Sequence, residues 1–250
     1  MDLVVQEFKM RTVLVCIAKE EDNYFEEWCD YYKKLGFDEI YLYENDWDCP
    51  IERPFLKKIK FPGKHKQMEA YRDFTNNYRD LFDWAAFFDC DEFLVLKKHK
   101  TIQEFLTEYD NPFGLTINWQ FFGADGKITR GEHPNSLLKQ FFLKQKDVNE
   151  HVKSILKLNS GSFMVSPHHA STQLMSTDGK FFEGPFNREG KNDVAQLNHY
   201  HHKTFEDWLI RCSRGQADHC QVRQPHQWEE EKNIFCDVED KDAYNFMYNL

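Results

Sequence analysis

The chain has 250 residues, 41% of them hydrophobic, with 23 Phe, 11 Tyr and 6 Trp, enough apolar material to fill a core and to exclude disorder over most of its length. Its 32 basic residues against 42 acidic ones give a formal net charge of −10, which excludes a general nucleic-acid binder. Half of that charge lies in residues 216–250, which hold eight acids and three bases and read as a solvated surface.

The first element is "TVLVCIA" (Thr12–Ala18), a short, continuous, β-branched run expected to form a buried strand. It is also the longest apolar run near the start, far below the ~20 residues that span a bilayer, and no basic segment and cleavage site accompany it. The expectation is therefore no secretory signal and a cytoplasmic protein, with at most peripheral contact with a membrane surface. A helix follows. Asn23 and Glu26 have capping-box spacing, Tyr24, Phe25, Trp28, Tyr31, Tyr32 and Leu35 fall at helical intervals, and Gly36 ends it. "EIYLYEN" (Glu39–Asn45) and "LKKIKF" (Leu56–Phe61) read as strands, "KQMEAYRDFTNNYRDLF" (Lys66–Phe82) as a helix, and "WAAFF" (Trp84–Phe88) as a fourth strand. This alternation predicts an α/β fold with a parallel, doubly wound first half.

The second half is less regular. Strands are expected at Phe113–Gly123, Ser136–Lys144, Val152–Leu158 and Gly161–Ser166, and a short amphipathic helix at Thr204–Gly215. No repeat, low-complexity tract or linker interrupts the chain, so a single domain with a strand-rich second half fits best. The seven cysteines are scattered without a C-x-x-C pair, as expected of reduced, mostly buried thiols.

The fourth strand runs into "DCDEF". Asp89 and Asp91, two apart in extended chain, would leave one face about 7 Å apart. Ligands of open parallel sheets bind beyond the C-terminal strand ends, and hard cations such as Mn2+ or Mg2+ are held there by one or two carboxylates plus substrate phosphates. A bare D-x-D carries no weight in this chain, because Asp46/Asp48 and Asp240/Asp242 have the same spacing. Only the middle pair follows a strand with no polar residue in it. A polar turn closing a hairpin is the competing reading.

The wider pattern is more specific. "IAKEEDNYFEEWCDYYKKLGFDEIYLYENDWD", "KQMEAYRDFTNNYRDLFDWAAFFDCDEFL", "NWQFFGADG", "HVKSILKL" and "LNHYHHKTFEDWLIRCSRG" occur in this order. Together they resemble glycosyltransferase family 2 and family 92-like proteins with a GT-A fold, over roughly residues 11–215. The resemblance implies a single GT-A-type domain over 1–215, with a mostly parallel nucleotide-binding sheet flanked by helices and an acceptor-side second half. Residues 216–250 are then an acidic, aromatic extension packed on it or trailing from it. The implied activity is metal-dependent transfer of a sugar, with inversion, from a nucleotide-sugar donor, UDP-linked above all, to a hydroxyl of a glycan or glycoconjugate acceptor, as in polysaccharide biosynthesis. Two departures stand out: Glu44-Asn45-Asp46 replaces an Asp-Asn pair, and the segment after Gly123 is short.

The resemblance also implies roles. Asp91 ligates Mn2+ or Mg2+ directly, and Asp89 contacts the ribose or reaches the metal through water. His199 is the His of the His-Tyr-x-x-Lys block and a third metal ligand, although three histidines among residues 199–202 also invite zinc or a plain surface role. Lys203, Arg211 and Arg214 could neutralise the diphosphate, or Arg211 could belong to a solvated helix face. The fold analogy sets uridine against Ala18, Lys19, Glu20, Glu44 and Asn45, with Lys64 and Gln67 able to join the base or ribose. The acceptor hydroxyl needs a general base. Asp125, Glu183 and Asp193 are alternatives among which the sequence does not choose. Trp119, Phe121 and Phe122 could stack on sugars or fill the core. Two other classes compete: a non-catalytic nucleotide-sugar or carbohydrate-binding module, and a sugar nucleotidyltransferase. The latter is disfavoured because "AKEEDNY" has no glycine for a phosphate loop.

Overall fold

A computed structural model describes residues 9–214 and 223–249. Strand β1 (Thr12–Ala18) forms where its apolar run predicts, and six of its seven residues are buried. Helix α1 (Phe25–Leu35) ends at Gly36, whose φ of 108° suits glycine and whose N–H reaches back to the Lys33 carbonyl. Its start differs from the expectation. The Asn23–Glu26 box does not form; Tyr24 is the N-cap, no side chain caps it, and the Phe25 N–H donates to the Glu21 carbonyl at 3.1 Å. The α1 aromatics reach out to later chain. Trp28 Nε1 and the Tyr32 hydroxyl both donate to the Glu92 carbonyl at 2.9 Å, and the Tyr31 hydroxyl to the Leu94 carbonyl at 2.8 Å.

Strands β2 (Glu39–Glu44) and β3 (Leu56–Lys60), helix α2 (Gln67–Asn77) and strand β4 (Trp84–Phe87) follow. The second helix is shorter than its sequence pattern; it stops at Tyr78 and a 3-10 turn (Arg79–Leu81) leads into β4. The four strands are parallel in the order β3-β2-β1-β4. Helix α1 packs with Leu14, Cys16 and Leu42 on one face, and Ala70, Tyr71 and Phe74 of α2 pack with Val13, Val15 and Tyr41 on the other. The first half is thus doubly wound, and its four C-terminal strand ends share one edge.

Beyond β4 come β5 (Glu92–Leu96), α3 (Ile102–Glu108), β6 (Gly114–Phe121), β7 (Leu143–Lys144), β8 (Val152–Lys157), β9 (Leu174–Met175), β10 (Phe181–Phe182), β11 (Ala195–His199), α4 (Phe205–Arg214), α5 (Trp228–Glu231), β12 (Val238–Glu239) and α6 (Asp242–Tyr248). The sheet continues β10-β9-β6-β8-β4, and β11 joins β6 to β5. It is mixed rather than mostly parallel, because β8 enters antiparallel between β4 and β6.

Two expected strands are absent. Of Ser136–Lys144 only Leu143–Lys144 is extended. Residues 136–138 wrap the buried Glu27 carboxylate instead, which accepts hydrogen bonds from the Ser136 hydroxyl and, at 2.7 and 3.4 Å, from the Leu137 and Leu138 N–H groups. Gly161–Ser166 contributes a single bridge, Met164 to Ala170, around a turn tied by the Ser166 hydroxyl. Residues 223–249 pack on the rest. β12 pairs with β7, the Tyr248 hydroxyl donates to Glu27 at 2.6 Å, and Phe246 meets Tyr31 edge-on. No helix among the described residues is long and apolar enough to cross a membrane.

Candidate functional site at the end of strand β4

Asp89, Cys90 and Asp91 lie in the turn joining β4 to β5, so the two aspartates do not share a strand face. They engage different partners. Asp89 accepts from Gln67 Nε2 at 2.9 Å and from Lys153 Nζ at 2.7 Å. Lys153 is wholly buried on β8 and also lies 3.5 Å from Glu92 Oε1, while Glu92 Oε2 accepts the Asp89 N–H at 2.9 Å. Burial alone would lower the Lys153 pKa; Asp89 and Glu92 overcome it and hold the ammonium firmly charged. Glu92 itself is pushed up by burial, against the pull of Lys153.

Asp91 faces the other way. Its Oδ2 lies 3.0 Å from Arg211 Nη2 and 3.4 Å from Lys203 Nζ, and its Oδ1 is 3.6 Å from His199 Nε2. Burial would raise this carboxyl, but the Lys203 ammonium and the Arg211 guanidinium hold it well below the usual carboxylate range. Lys203 also approaches Glu21 Oε2 at 3.7 Å and lies over the Tyr24 ring. The next turn of chain brings α4 to the site. The Tyr200 N–H donates to the Asp91 carbonyl at 2.9 Å, and Arg211 donates to the His201 carbonyl.

His199 ends β11, where pairing with Glu92 of β5 and Phe121 of β6 fixes its place. Burial pushes its pKa down to about 3, so the ring is neutral, and its Nδ1 is buried without a hydrogen-bond partner. His201 and His202 are also held neutral by burial. His201 Nε2 is 3.2 Å from Arg223 Nη2, and His202 Nδ1 meets the Glu231 carbonyl at 3.1 Å.

Asp91 Oδ1 and His199 Nε2 offer one hard oxygen and one neutral imidazole nitrogen side by side, a pair that suits Mn2+ or Mg2+ when phosphates and water complete the shell. Among the described residues no three His, Cys, Asp or Glu side chains gather as a metal site of their own. The described residues therefore supply at most two ligands at this corner. Asp89 is committed to Lys153 and Gln67 and points elsewhere.

The other expected residues divide clearly. The Ala18 carbonyl accepts the Asn45 N–H at 2.9 Å, so strand ends one and two meet as expected. Glu44 is spent on Lys60 and on the Cys49 N–H, and Asn45 on the Phe61 and Gly63 carbonyls. Both thereby brace the loops of this edge. Lys19 lies 3.8 Å from Asp46, Glu20 has a φ of 53° and lines a shallow pocket with Lys203 and Arg211, and Lys64 is exposed. The side chain of Arg214 lies outside the described residues. The three carboxylates considered as bases are all exposed. Asp125 pairs with Lys127 at 3.0 Å. Glu183 follows β10 at the sheet's far end, and Asp193 precedes β11, at the end opposite His199. Lys153 and Arg223 were not anticipated, and Glu92, third acid of the D-x-D-E stretch, faces Lys153. Of the two, Lys153 left a signal, as a lysine directly after Val152 at the start of β8.

Comparison with known proteins shows the family. The family model described as "Glycosyltransferase family 92" matches residues 50–235. A rice (Oryza sativa subsp. japonica) protein described as a glycosyltransferase family 92 protein is 24% identical over 111 residues, 40% of this chain. The match spans 19% of that relative's length.

Proposed function

The chain belongs to glycosyltransferase family 92, and from that premise we propose that it transfers a sugar from a nucleotide sugar to a glycan hydroxyl by single, inverting displacement, on a GT-A-type sheet. The observation that carries this reading is Asp91: a buried carboxylate at the C-terminal edge of parallel strands, kept ionised by Lys203 and Arg211 and faced by neutral His199. Such an edge is where open α/β sheets bind nucleotides. Lys203 and Arg211 then serve the donor's diphosphate, trading part of their contact with Asp91 for phosphate oxygens. Asp89, braced by Lys153 and Gln67, is set to accept ribose hydroxyls. The strand-end residues Ala18 to Glu20 offer backbone and side-chain contacts for a uracil ring.

Asp91 and His199 would hold Mn2+ or Mg2+, which when bound would offset the charge that grows on the departing diphosphate. The residues of the chain do the rest. Lys203 and Arg211 stabilise the leaving oxygen electrostatically, and the buried aromatic wall around Trp119 excludes water from the sugar.

The test is a thermal-shift and turnover screen of UDP- and GDP-hexoses with and without Mn2+. Metal-dependent stabilisation with slow release of nucleoside diphosphate is expected. Stabilisation without any release would indicate a binding module, and pyrophosphate release from a nucleoside triphosphate would indicate a nucleotidyltransferase.

A further inference from the structure

We propose that His168 is the catalytic base that takes the proton of the attacking acceptor hydroxyl. This rests on the glycosyltransferase reading and names a residue of that site that the carboxylates do not supply.

Three hydrogen bonds fix His168. Its N–H donates to the Ser166 hydroxyl at 3.1 Å, its carbonyl accepts from the Ser154 hydroxyl at 3.1 Å, and its ring Nδ1 lies 3.1 Å from the Val152 carbonyl. A carbonyl only accepts, so Nδ1 carries the proton and Nε2 carries the lone pair. That is the tautomer a base needs. Burial, then Lys153, pushes the ring's pKa down to about 4, so it is neutral and ready at physiological pH. Lys153 and Asp89 are its charged neighbours, and His151 its titratable one.

The ring also stands at the right distance from the donor corner. The Trp119 indole meets His168 edge-on at 5.0 Å between centroids and meets His199, beside Asp91, at 4.3 Å. One indole thus separates the proposed base from the diphosphate end of the site. Trp119 is only 8% exposed, yet its Nε1 has no hydrogen-bond partner. Buried indole N–H groups ordinarily find an acceptor. Here a sugar hydroxyl would provide it. His151, stacked on Trp119 at 5.2 Å with its Nδ1 held by Asn149, closes the outer side.

In the step, the acceptor oxygen forms a bond to the anomeric carbon. The bond from that carbon to the phosphate oxygen breaks, and its electron pair leaves with the diphosphate. The acceptor proton passes to His168 Nε2, and the imidazolium later releases it to solvent.

The decisive variant is His168→Asn, whose amide can keep the bond to Val152 but has no basic nitrogen. Donor hydrolysis, with water as acceptor, is measured over the UDP- and GDP-hexose panel together with UDP affinity in Mn2+. A 10²- to 10⁴-fold fall in kcat with unchanged UDP affinity and melting temperature is expected, the range for a lost general base. His151→Gln should lower kcat less than tenfold. Equal turnover by His168→Asn, or a larger loss in His151→Gln, would overturn the assignment. Loss of UDP affinity in step with kcat would show a structural role and overturn it too. A wild-type chain that binds UDP without turning over any donor would instead remove the transferase reading, and this inference with it.

Discussion

Lys153 Nζ lies 2.7 Å from Asp89 Oδ2 with its own side chain wholly removed from solvent. A buried ammonium costs several kcal/mol in lost hydration, offset only by close, hydrogen-bonded partners. Here Asp89 provides the hydrogen bond, and the Glu92 carboxyl lies 3.5 Å away as a second partner. Lys153→Met should therefore cost about 3 kcal/mol, since it leaves two carboxylates crowded together. Urea unfolding at pH 7 measures this. Adding Glu92→Gln should recover part of the loss, because Glu92 Oε1 already lacks a hydrogen-bond partner. A change below about 1 kcal/mol would mean that the lysine is not paired in solution.

Asp91→Asn tests the donor corner. The substitution keeps volume but removes the charge that Lys203 and Arg211 share. Calorimetry should find Mn2+-dependent UDP affinity reduced at least about 100-fold, the loss expected when a charged hydrogen-bonded partner worth about 3 kcal/mol is removed. Circular dichroism should be unchanged. Wild-type affinity in this variant would remove Asp91 from the site.

The histidines predict a pH profile. Burial holds His199 at about 3 and His168 and His202 at about 4, against 6.5 for a free ring. Between pH 6.5 and 4 the unfolded chain binds protons that the folded chain refuses, so stability falls as pH falls through that window. Each ring contributes a slope approaching about 1.4 kcal/mol per pH unit. Asp91, Asp207 and Asp240, whose pKa values are depressed, add a further loss below about pH 4, where the unfolded carboxyls protonate first. Urea midpoints at pH 7, 6, 5 and 4 should decline steadily, and His202→Gln should make the decline shallower. A flat profile from pH 7 to 5 would show that these rings titrate in the fold as they do in the unfolded chain.

What the sequence disclosed follows from how locally each element is determined. β1, β2 and β4 are apolar runs covered on both faces, and α1 carries a helical stripe of aromatics, so neighbouring residues suffice to place them. β11 reads "AQLNH" and carries no local strand signal, because three of its five buried residues are polar. Gln196 and Asn198 bond each other, and Gln196 also reaches Asp240, a partner 44 residues away. The turn at 136–138 has the local pattern of a strand for the same reason, since its partner is the distant Glu27. At the site, the D-x-D stretch marks the turn after β4 in the sequence itself. The divergence of its two carboxylates depends on Lys153 and Arg211, and no local pattern encodes those distances. α3 is a different case: the Thr101 hydroxyl caps it by accepting the Glu104 N–H, the Glu104 carboxylate accepts the Lys100 N–H, and the Thr-x-x-Glu spacing is legible in the sequence.

Gly123 ties the C-terminal segment to the site. It follows β6, its N–H donates to the Leu143 carbonyl at 3.0 Å, and a Cβ placed on it would overlap the Ile234 carbonyl oxygen and the Cys236 sulfur. Between these two residues Phe235, at a φ of 65°, stacks on Phe121 at 4.6 Å and meets His202 at 5.2 Å. The segment thus roofs the histidine cluster, and only glycine lets it come so close. Gly123→Ala cannot be relieved by a rotamer change, because the obstruction is backbone, so segment 234–236 must lift. Overpacking of this kind costs about 1–3 kcal/mol. Hydrogen exchange should quicken across residues 233–240 while β1 to β4 keep their protection, since that half of the sheet has its own core. UDP affinity should change little, because Asp91 is held by Lys203 and Arg211 rather than by the roof. Unaltered exchange at 233–240 would show that the segment does not depend on its contact with Gly123.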